Sequence, residues 1–222
     1  MIEYHNNIAI IKDSTHWTEW VKEQNKLDVD SLASRMSQQY INEGDTVLDI
    51  GANIGSHSIV YANKITSKGK LFAIDADEEH CMCLKHNLPD WVNIMNFAVS
   101  NRVGVVGFKK YKNTACNRCV ENSGALVVNT YPLDYYFANT KIDFIKIDIE
   151  GYEIKAIEGM QMVISNNRPI LCLESNKSAL KEAGYSQEQL YDTMSDLKYS
   201  FTTIESSLTL FDAQPNIICL PK

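Results

Sequence analysis

The run Asp49-Ile50-Gly51-Ala52-Asn53-Ile54-Gly55 constrains this 222-residue chain more than any other segment. It lies between the apolar stretch Thr46 to Ile50 and the helix-like stretch Ser56 to Ile65, so glycines punctuate a passage from strand to helix. Glycine removes the Cβ that would hold a ligand off the backbone, and free N–H groups at a helix start favour an anionic group such as a carboxylate or phosphate. The dinucleotide fingerprint G-x-G-x-x-G is not met, because Asn53 replaces its middle glycine and Ser56 stands at its last position. A pyrophosphate therefore fits this turn poorly, which counts against a nicotinamide-dependent oxidoreductase.

The strand and helix rhythm continues. Lys70 to Ile74, Val92 to Ala98, Ile142 to Ile149 and Arg168 to Glu174 read as strands, and Asp77 to Leu88, Tyr152 to Ser165 and Gln187 to Leu197 as helices. Such alternation implies parallel strands under helices. Tyr199 to Ile204, Ser207 to Phe211 and Asn216 to Leu220 read as closing strands, antiparallel at one sheet edge. Arg102 to Tyr111 reads as an added strand or hairpin, and the polar stretch Tyr111 to Gly124 as a mobile loop. Ahead of all this, Thr15 to Leu27 and Val29 to Ile41 carry apolar residues at helical spacing. The simplest partition is an N-terminal helical addition over residues 1–44 packed on one domain over residues 45–222.

Charge and hydropathy narrow the class. Asp and Glu number 28 against 21 Lys and Arg, a net charge of −7, so no broad basic face is expected and no nucleic-acid partner. No apolar run approaches the roughly 18 residues of a membrane span. Met1 to Ile11 has no basic start and leads into no signal-like apolar stretch, so a cytoplasmic protein that keeps clear of the membrane is expected. The six cysteines read as reduced thiols; Cys116 and Cys119 have zinc-knuckle spacing, but no second pair or His pair completes a site.

The acids carry the chemistry. Asp75 ends the second parallel strand 24 residues after Gly51, close to the roughly 20 expected of a ribose-binding acid. Its carboxylate can accept from ribose hydroxyls, or it can cap the next helix, a role Asp77 could also take. Asp148 and Glu150 fall at the carboxyl end of the fourth parallel strand and Glu174 at the end of the fifth, where ligands bind in open α/β sheets. Converging there, these acids would act as a base or hydroxyl acceptor, or as a hard-metal site. The bland alternative is a structural network, with Lys146 pairing one carboxylate and Glu150 capping the following helix. His5, His16, His80 and His86 have no motif around them and are expected at the surface. Tyr111, Tyr131, Tyr135, Tyr136 and Phe137 could stack on an acceptor or fill the core.

With these residues in hand, the sequence resembles the FkbM family of S-adenosylmethionine-dependent methyltransferases. The resemblance is carried by DIGANIG at 49–55, LFAIDAD at 71–77, FAVS at 97–100, YPLD at 131–134, DFIKIDIEG at 143–151 and RPILCLE at 168–174. It implies a class I methyltransferase fold, a Rossmann-like doubly wound sheet of about seven strands with the last antiparallel. It also implies S-adenosyl-L-methionine as cofactor. In that frame Asp49, Gly51, Asn53 and Gly55 surround the methionine part, Asp75 holds the ribose, and Phe97, Ala98 and Ser100 border the adenine. The family's acid is usually Glu followed by Pro, whereas here Asp75 is followed by Ala76, which shortens the reach. The expected activity is an O-methyltransferase acting on a hydroxyl of a small-molecule or glycan acceptor. A general base worth about 10²–10⁴-fold suits such a hydroxyl; Asp148 is the candidate, with Glu150 and His57 beside it, although His57 could equally be a polar residue at a helix start. A methyltransferase fold that has lost catalysis and serves as a binding module is the other class to weigh.

Overall fold

Strands that are apolar on both faces need helices on both faces, and Val47-Leu48-Asp49-Ile50 and Phe144-Ile145-Lys146-Ile147 are of this kind, buried throughout. The computed structural model describes residues 1–15, 17–27, 31–121, 126–203 and 216–222. In chain order its elements are β1 (Ile2–His5), β2 (Ile8–Ile11), α1 (Trp17–Gln24), α2 (Ser31–Tyr40), β3 (Thr46–Ile50), α3 (Ser56–Ile65), β4 (Lys70–Asp75), α4 (Glu78–Asn87), β5 (Asn93–Asn96), β6 (Ala98–Val99), β7 (Gly104–Lys109) and β8 (Arg118–Val120). They continue as β9 (Leu126–Tyr131), α5 (Leu133–Phe137), β10 (Phe144–Ile147), α6 (Glu153–Glu158), α7 (Gln161–Asn167), β11 (Ile170–Glu174), α8 (Lys177–Glu182), α9 (Gln187–Asp196), β12 (Tyr199–Thr203) and β13 (Asn216–Pro221).

The main sheet has seven strands in the order β12-β13-β11-β10-β3-β4-β5. Neighbours from β11 to β5 pair in parallel, while β13 runs antiparallel to both β11 and β12. This is the expected doubly wound sheet with its last strand reversed. The chain winds outward from β3 through β4 to β5, then crosses to β10 and winds the other way, so the order reverses between β3 and β10. That switch point is where an open α/β sheet offers a crevice at the carboxyl ends of its strands. Leu48, Ile50, Ile145, Ile147, Leu171 and Leu173 pack against α5 to α9 on one face; Val47, Phe144, Leu71 and Cys172 pack against α2, α3 and α4 on the other. A second sheet, β6-β9-β7-β8, stands beside the crevice.

Several elements depart from the sequence reading. The N-terminal segment is not purely helical: β1 and β2 form a hairpin, Ile2 opposite Ile11, turned by Asn6 and Asn7 at φ 45° and 65°. Asn tolerates this left-handed turn, which matches the twist of a two-residue hairpin. The hairpin docks on α4 through Asn87, whose side chain accepts from Ala9 N at 2.7 Å and donates to Ala9 O at 2.9 Å. The single helix expected over Tyr152 to Ser165 breaks at Gly159, where a Cβ would meet the Ser100 carbonyl oxygen at 1.9 Å. The stretch Tyr111 to Gly124, read as a mobile loop, carries a short turn of helix at Thr114–Cys116 and then β8, paired to β7. The strand expected over Ser207 to Phe211 lies outside the described residues.

Two acids inside the resemblance motifs are architectural. Asp134 of α5 accepts from Met162 N and Val163 N at 3.0 and 2.9 Å, satisfying first-turn amides of α7. Asp143 accepts from Thr46 N at 3.0 Å and fixes the start of β3 against β10.

Candidate active site

The crevice begins with the turn after β3. Gly51 N and Ala52 N donate to Ile74 O at 2.9 and 3.1 Å, which bends the chain over the end of β4. Gly51 has φ +76°, and a Cβ there would stand 1.8 Å from the Asp148 carbonyl oxygen. Only glycine lets the ends of β3 and β10 close to this distance. Asn53 is also left-handed, at φ 51°; its side chain accepts from Ile54 N at 2.8 Å, and its own N–H donates to Asp75 Oδ2 at 2.8 Å.

Asp75 is 8% exposed and held from three sides. Besides Asn53 N, Asp77 N donates to its Oδ1 at 2.8 Å, and His80 Nδ1 lies 3.1 Å from the same oxygen. Burial opposes its ionisation, but the His80 charge and these hydrogen bonds outweigh it and hold the carboxyl below its ordinary range. These three contacts take up three of the roughly four acceptor positions of a carboxylate and leave one on Oδ2 open to a ligand. The helix-capping role belongs to Asp77, which accepts from Glu79 N at 3.0 Å and pairs with Lys110 at 2.7 Å.

His80 corrects an expectation: it is not at the surface but 2% exposed, lining the crevice. The first turn of α4 carries it beneath the end of β4. Burial lowers its proton affinity, yet the Asp75 charge raises it further, so its pKa lies above the ordinary imidazole value. Its Nε2 is buried without a hydrogen-bond partner among the described residues.

A cleft surrounds Asp75. Ile50, Ile74, Phe97, Ala98 and Phe108 give it apolar walls, and Gly51, Asn53 and Asp148 its polar floor. Gly55, at φ 100°, opens α3 behind this floor, packed towards Leu84 and Leu88. Thr114, Asn117 and Cys119 cover the cleft, so the segment read as a mobile loop forms its roof. Asn117 donates to Asp77 Oδ2 at 3.0 Å, and Ser14 and Thr114 hydroxyls meet at 3.0 Å. The structure does not bring every candidate to the cleft. Asp49 is fully buried behind it, accepting from Ser58 Oγ at 2.6 Å and pairing with Lys146 at 3.5 Å. Ser100 is 1% exposed, its carbonyl turned towards Gly159.

A second cavity of about 300 Å³ opens on the other side of Asp148. Asp148, Glu150 and Glu174 converge in it, one carboxylate oxygen from each lying within 4.8 Å of the others. Lys146, 3% exposed, bridges Asp49 and Asp148, its Nζ 3.3 Å from Asp148 Oδ2. So the Lys146 pairing is real, but Glu150 does not cap the following helix. That helix has no side-chain cap among the described residues; Glu153, its first residue, instead accepts from Ile149 N and Gly151 N of the turn before it, at 3.2 and 3.1 Å. Burial and the Asp148 charge push the Glu150 pKa up to about 7. Burial together with Asp148 and Glu150 pushes Glu174 well above the carboxylate range. His57 faces the same cavity, 7% exposed, with Nδ1 3.3 Å from the Tyr61 hydroxyl.

The aromatic residues divide. Phe137 is core, edge-on to Phe72. Tyr136 stacks on Phe97 with centroids 5.3 Å apart, and Tyr131 and Tyr135 complete that cluster behind the cleft wall. Tyr111 lies under Arg118 at 5.0 Å. The residues that sequence reasoning missed are His80 and the roof residues Thr114, Asn117 and Cys119. Helix phase from Asp77 would have located His80; nothing local in the sequence would have located the roof.

The model of the Methyltransferase FkbM domain matches residues 49–201. The hexuronic acid methyltransferase AglP of Haloferax volcanii is 23% identical over 133 residues, which cover 57% of this chain and 54% of that protein. The chain thus spans about half the length of the curated relative it matches. Among solved structures, methyltransferase FkbM from Methylobacillus flagellatus superposes with a TM-score of 0.54 at 16% identity, covering 79% of this chain and 43% of that one. The O-methyltransferase from Bacillus cereus in complex with SAH gives a TM-score of 0.56 at 15% identity, over 92% and 88% of the two chains. At these identities the two structures share the fold with this chain. No described helix is long and apolar enough to cross a membrane.

Proposed function

The chain belongs to the FkbM methyltransferase family, and from that premise we propose that it transfers the methyl group of S-adenosylmethionine to a hydroxyl of a sugar or other small-molecule acceptor. The observation that carries this reading is the position of Asp148, which borders both the Asp75 cleft and the acidic cavity. A group bound in one compartment meets a group bound in the other beside that carboxylate.

The residues of the cleft fit the cofactor. Asp75 keeps one acceptor position for a ribose hydroxyl, the apolar walls at Ile74, Phe97 and Phe108 suit a flat base, and the turn at Gly51 to Asn53 leads towards Asp148. When bound, S-adenosylmethionine supplies an electrophilic methyl group on a sulfonium. An acceptor hydroxyl beside Asp148 would give up its proton to that carboxylate as its oxygen takes the methyl group, with S-adenosylhomocysteine as the other product. Lys146 holds Asp148 in place at 3.3 Å. Thr114 to Cys119 border the cleft beside Asp148, and orientation of two bound groups supplies effective molarities of about 10⁵–10⁸ M.

The sugar acceptor draws its support from the hexuronic acid methyltransferase relative, and from a cavity lined with carboxylates that accept hydroxyl hydrogen bonds. The test is S-adenosylhomocysteine formation with a panel of uronic acid glycosides, neutral glycosides and phenols. Turnover confined to the glycosides supports the reading; turnover confined to phenols, or none with any acceptor despite cofactor binding, overturns the sugar assignment.

A further inference from the structure

We propose that Asp148, Glu150 and Glu174 form a binding site for one hard divalent cation, of the Mg²⁺ or Mn²⁺ class, at the acceptor end of the site. One oxygen from each carboxylate already lies within 4.8 Å of the others. Ligands at about 2.1 Å from an octahedral ion stand about 3–4.2 Å apart, so small side-chain rotations close the set. All three donors are carboxylate oxygens, the chemistry that suits Mg²⁺ and Mn²⁺ rather than a soft metal.

An independent observation points to the same ligand. Glu174 is 8% exposed and lines the cavity, and its Oε2 is buried with no hydrogen-bond partner among the described residues. A carboxylate oxygen withdrawn from water and left without a donor is costly, and a coordinated cation removes that cost. Lys146 is shared between Asp49 and Asp148. No ion pair to Glu150 or Glu174 occurs among the described residues, and the Glu150 contact is a neutral one, Asn176 Nδ2 at 3.4 Å. Arg118, on the roof, is committed to Glu182 at 3.0 Å.

The cation sits where an acceptor hydroxyl must approach Asp148. It orients that hydroxyl, lowers its pKa as a Lewis acid, and screens an acidic cavity that would otherwise repel an anionic sugar. This function rests on the methyltransferase reading above; the binding of the ion does not.

The experiment is a titration of the full chain with MnCl₂ followed by electron paramagnetic resonance, in which bound Mn²⁺ loses the sharp free-ion signal, with S-adenosylhomocysteine binding measured on the same samples. The expected result is one Mn²⁺ per chain, displaced by excess Mg²⁺, with affinity at least tenfold weaker in Glu174→Gln and in Glu150→Gln and unchanged in the surface variant Glu188→Gln. Thermal melts of each variant confirm folding, and wild type alone remains decisive if both cavity variants fail to fold. A folded wild-type protein that leaves the Mn²⁺ signal untouched at millimolar concentrations, or cavity variants that bind as wild type does, overturns the site. Loss of S-adenosylhomocysteine binding with Mn²⁺ binding intact would instead remove the methyltransferase reading and leave the cation site standing.

Discussion

Asp75 and His80 form an ion pair beneath the cleft, Oδ1 to Nδ1 at 3.1 Å, with side chains only 9% and 3% exposed. Each keeps the other charged against the cost of burial, and together they orient the one carboxylate oxygen left for a ligand.

Stability should therefore follow a two-sided pH profile. Asp75 ionises more readily in the folded chain than in the unfolded one, so its contribution is present above the unfolded value of 3.8 and is lost as pH falls through the lower folded value. His80 holds its proton more tightly when folded, so its contribution is complete below 6.5 and is lost as pH rises through the higher folded value. Thermal melts across pH should show a plateau between these limits, and His80→Gln should flatten the alkaline decline. An alkaline limb unchanged in that variant contradicts the pairing.

Gly51→Ala should be severe. The new Cβ would stand 1.8 Å from the Asp148 carbonyl oxygen at a residue with φ +76°. Left-handed strain costs about 1–3 kcal/mol, and overpacking costs about as much again. A drop in melting temperature of about 4 °C or more is expected, together with loss of cofactor binding; a melt like that of wild type would contradict the close approach of β3 and β10.

Lys146→Met removes the cation shared by Asp49 and Asp148. Asp49 is fully buried, its Oδ1 without a hydrogen bond, so breaking a pair of this kind should cost about 3–5 kcal/mol. Chemical denaturation measures it, and a loss below about 1 kcal/mol would show that the pair does little for the fold.

The glycine turn and the acid-bearing strand were legible because both are local. A strand, a turn and a helix follow from residues within a few positions, and Asp148 at a strand end follows from the run around it. Asn6 and Asn7 carried a turn signal too, but the four-residue strands beside them are too short for periodicity to declare. The roof was illegible for a different reason. Its order comes from contacts far away in the chain, Asn117 with Asp77, Ser14 with Thr114, and Lys112 O with Thr15 N at 3.3 Å. Asp49 and Ser100 belong to the right motifs, yet strand alternation and the Gly159 contact turn them away from the cleft.

Asp148→Asn keeps the shape of the junction but cannot take a proton. Turnover should fall about 10²–10⁴-fold while S-adenosylhomocysteine binding stays within a few-fold of wild type. Equal losses in binding and turnover would show that Asp148 holds the cofactor instead of serving the acceptor.

The most direct test of the account is calorimetric titration of the chain with S-adenosylmethionine, S-adenosylhomocysteine and NAD, with Asp75→Ala alongside. Binding of the first two at micromolar concentrations, no binding of NAD, and a loss in Asp75→Ala of about 1.5–3 kcal/mol, or roughly 10- to 150-fold, is the predicted result. Binding of NAD alone, or of no cofactor by a protein that melts cooperatively, would contradict it.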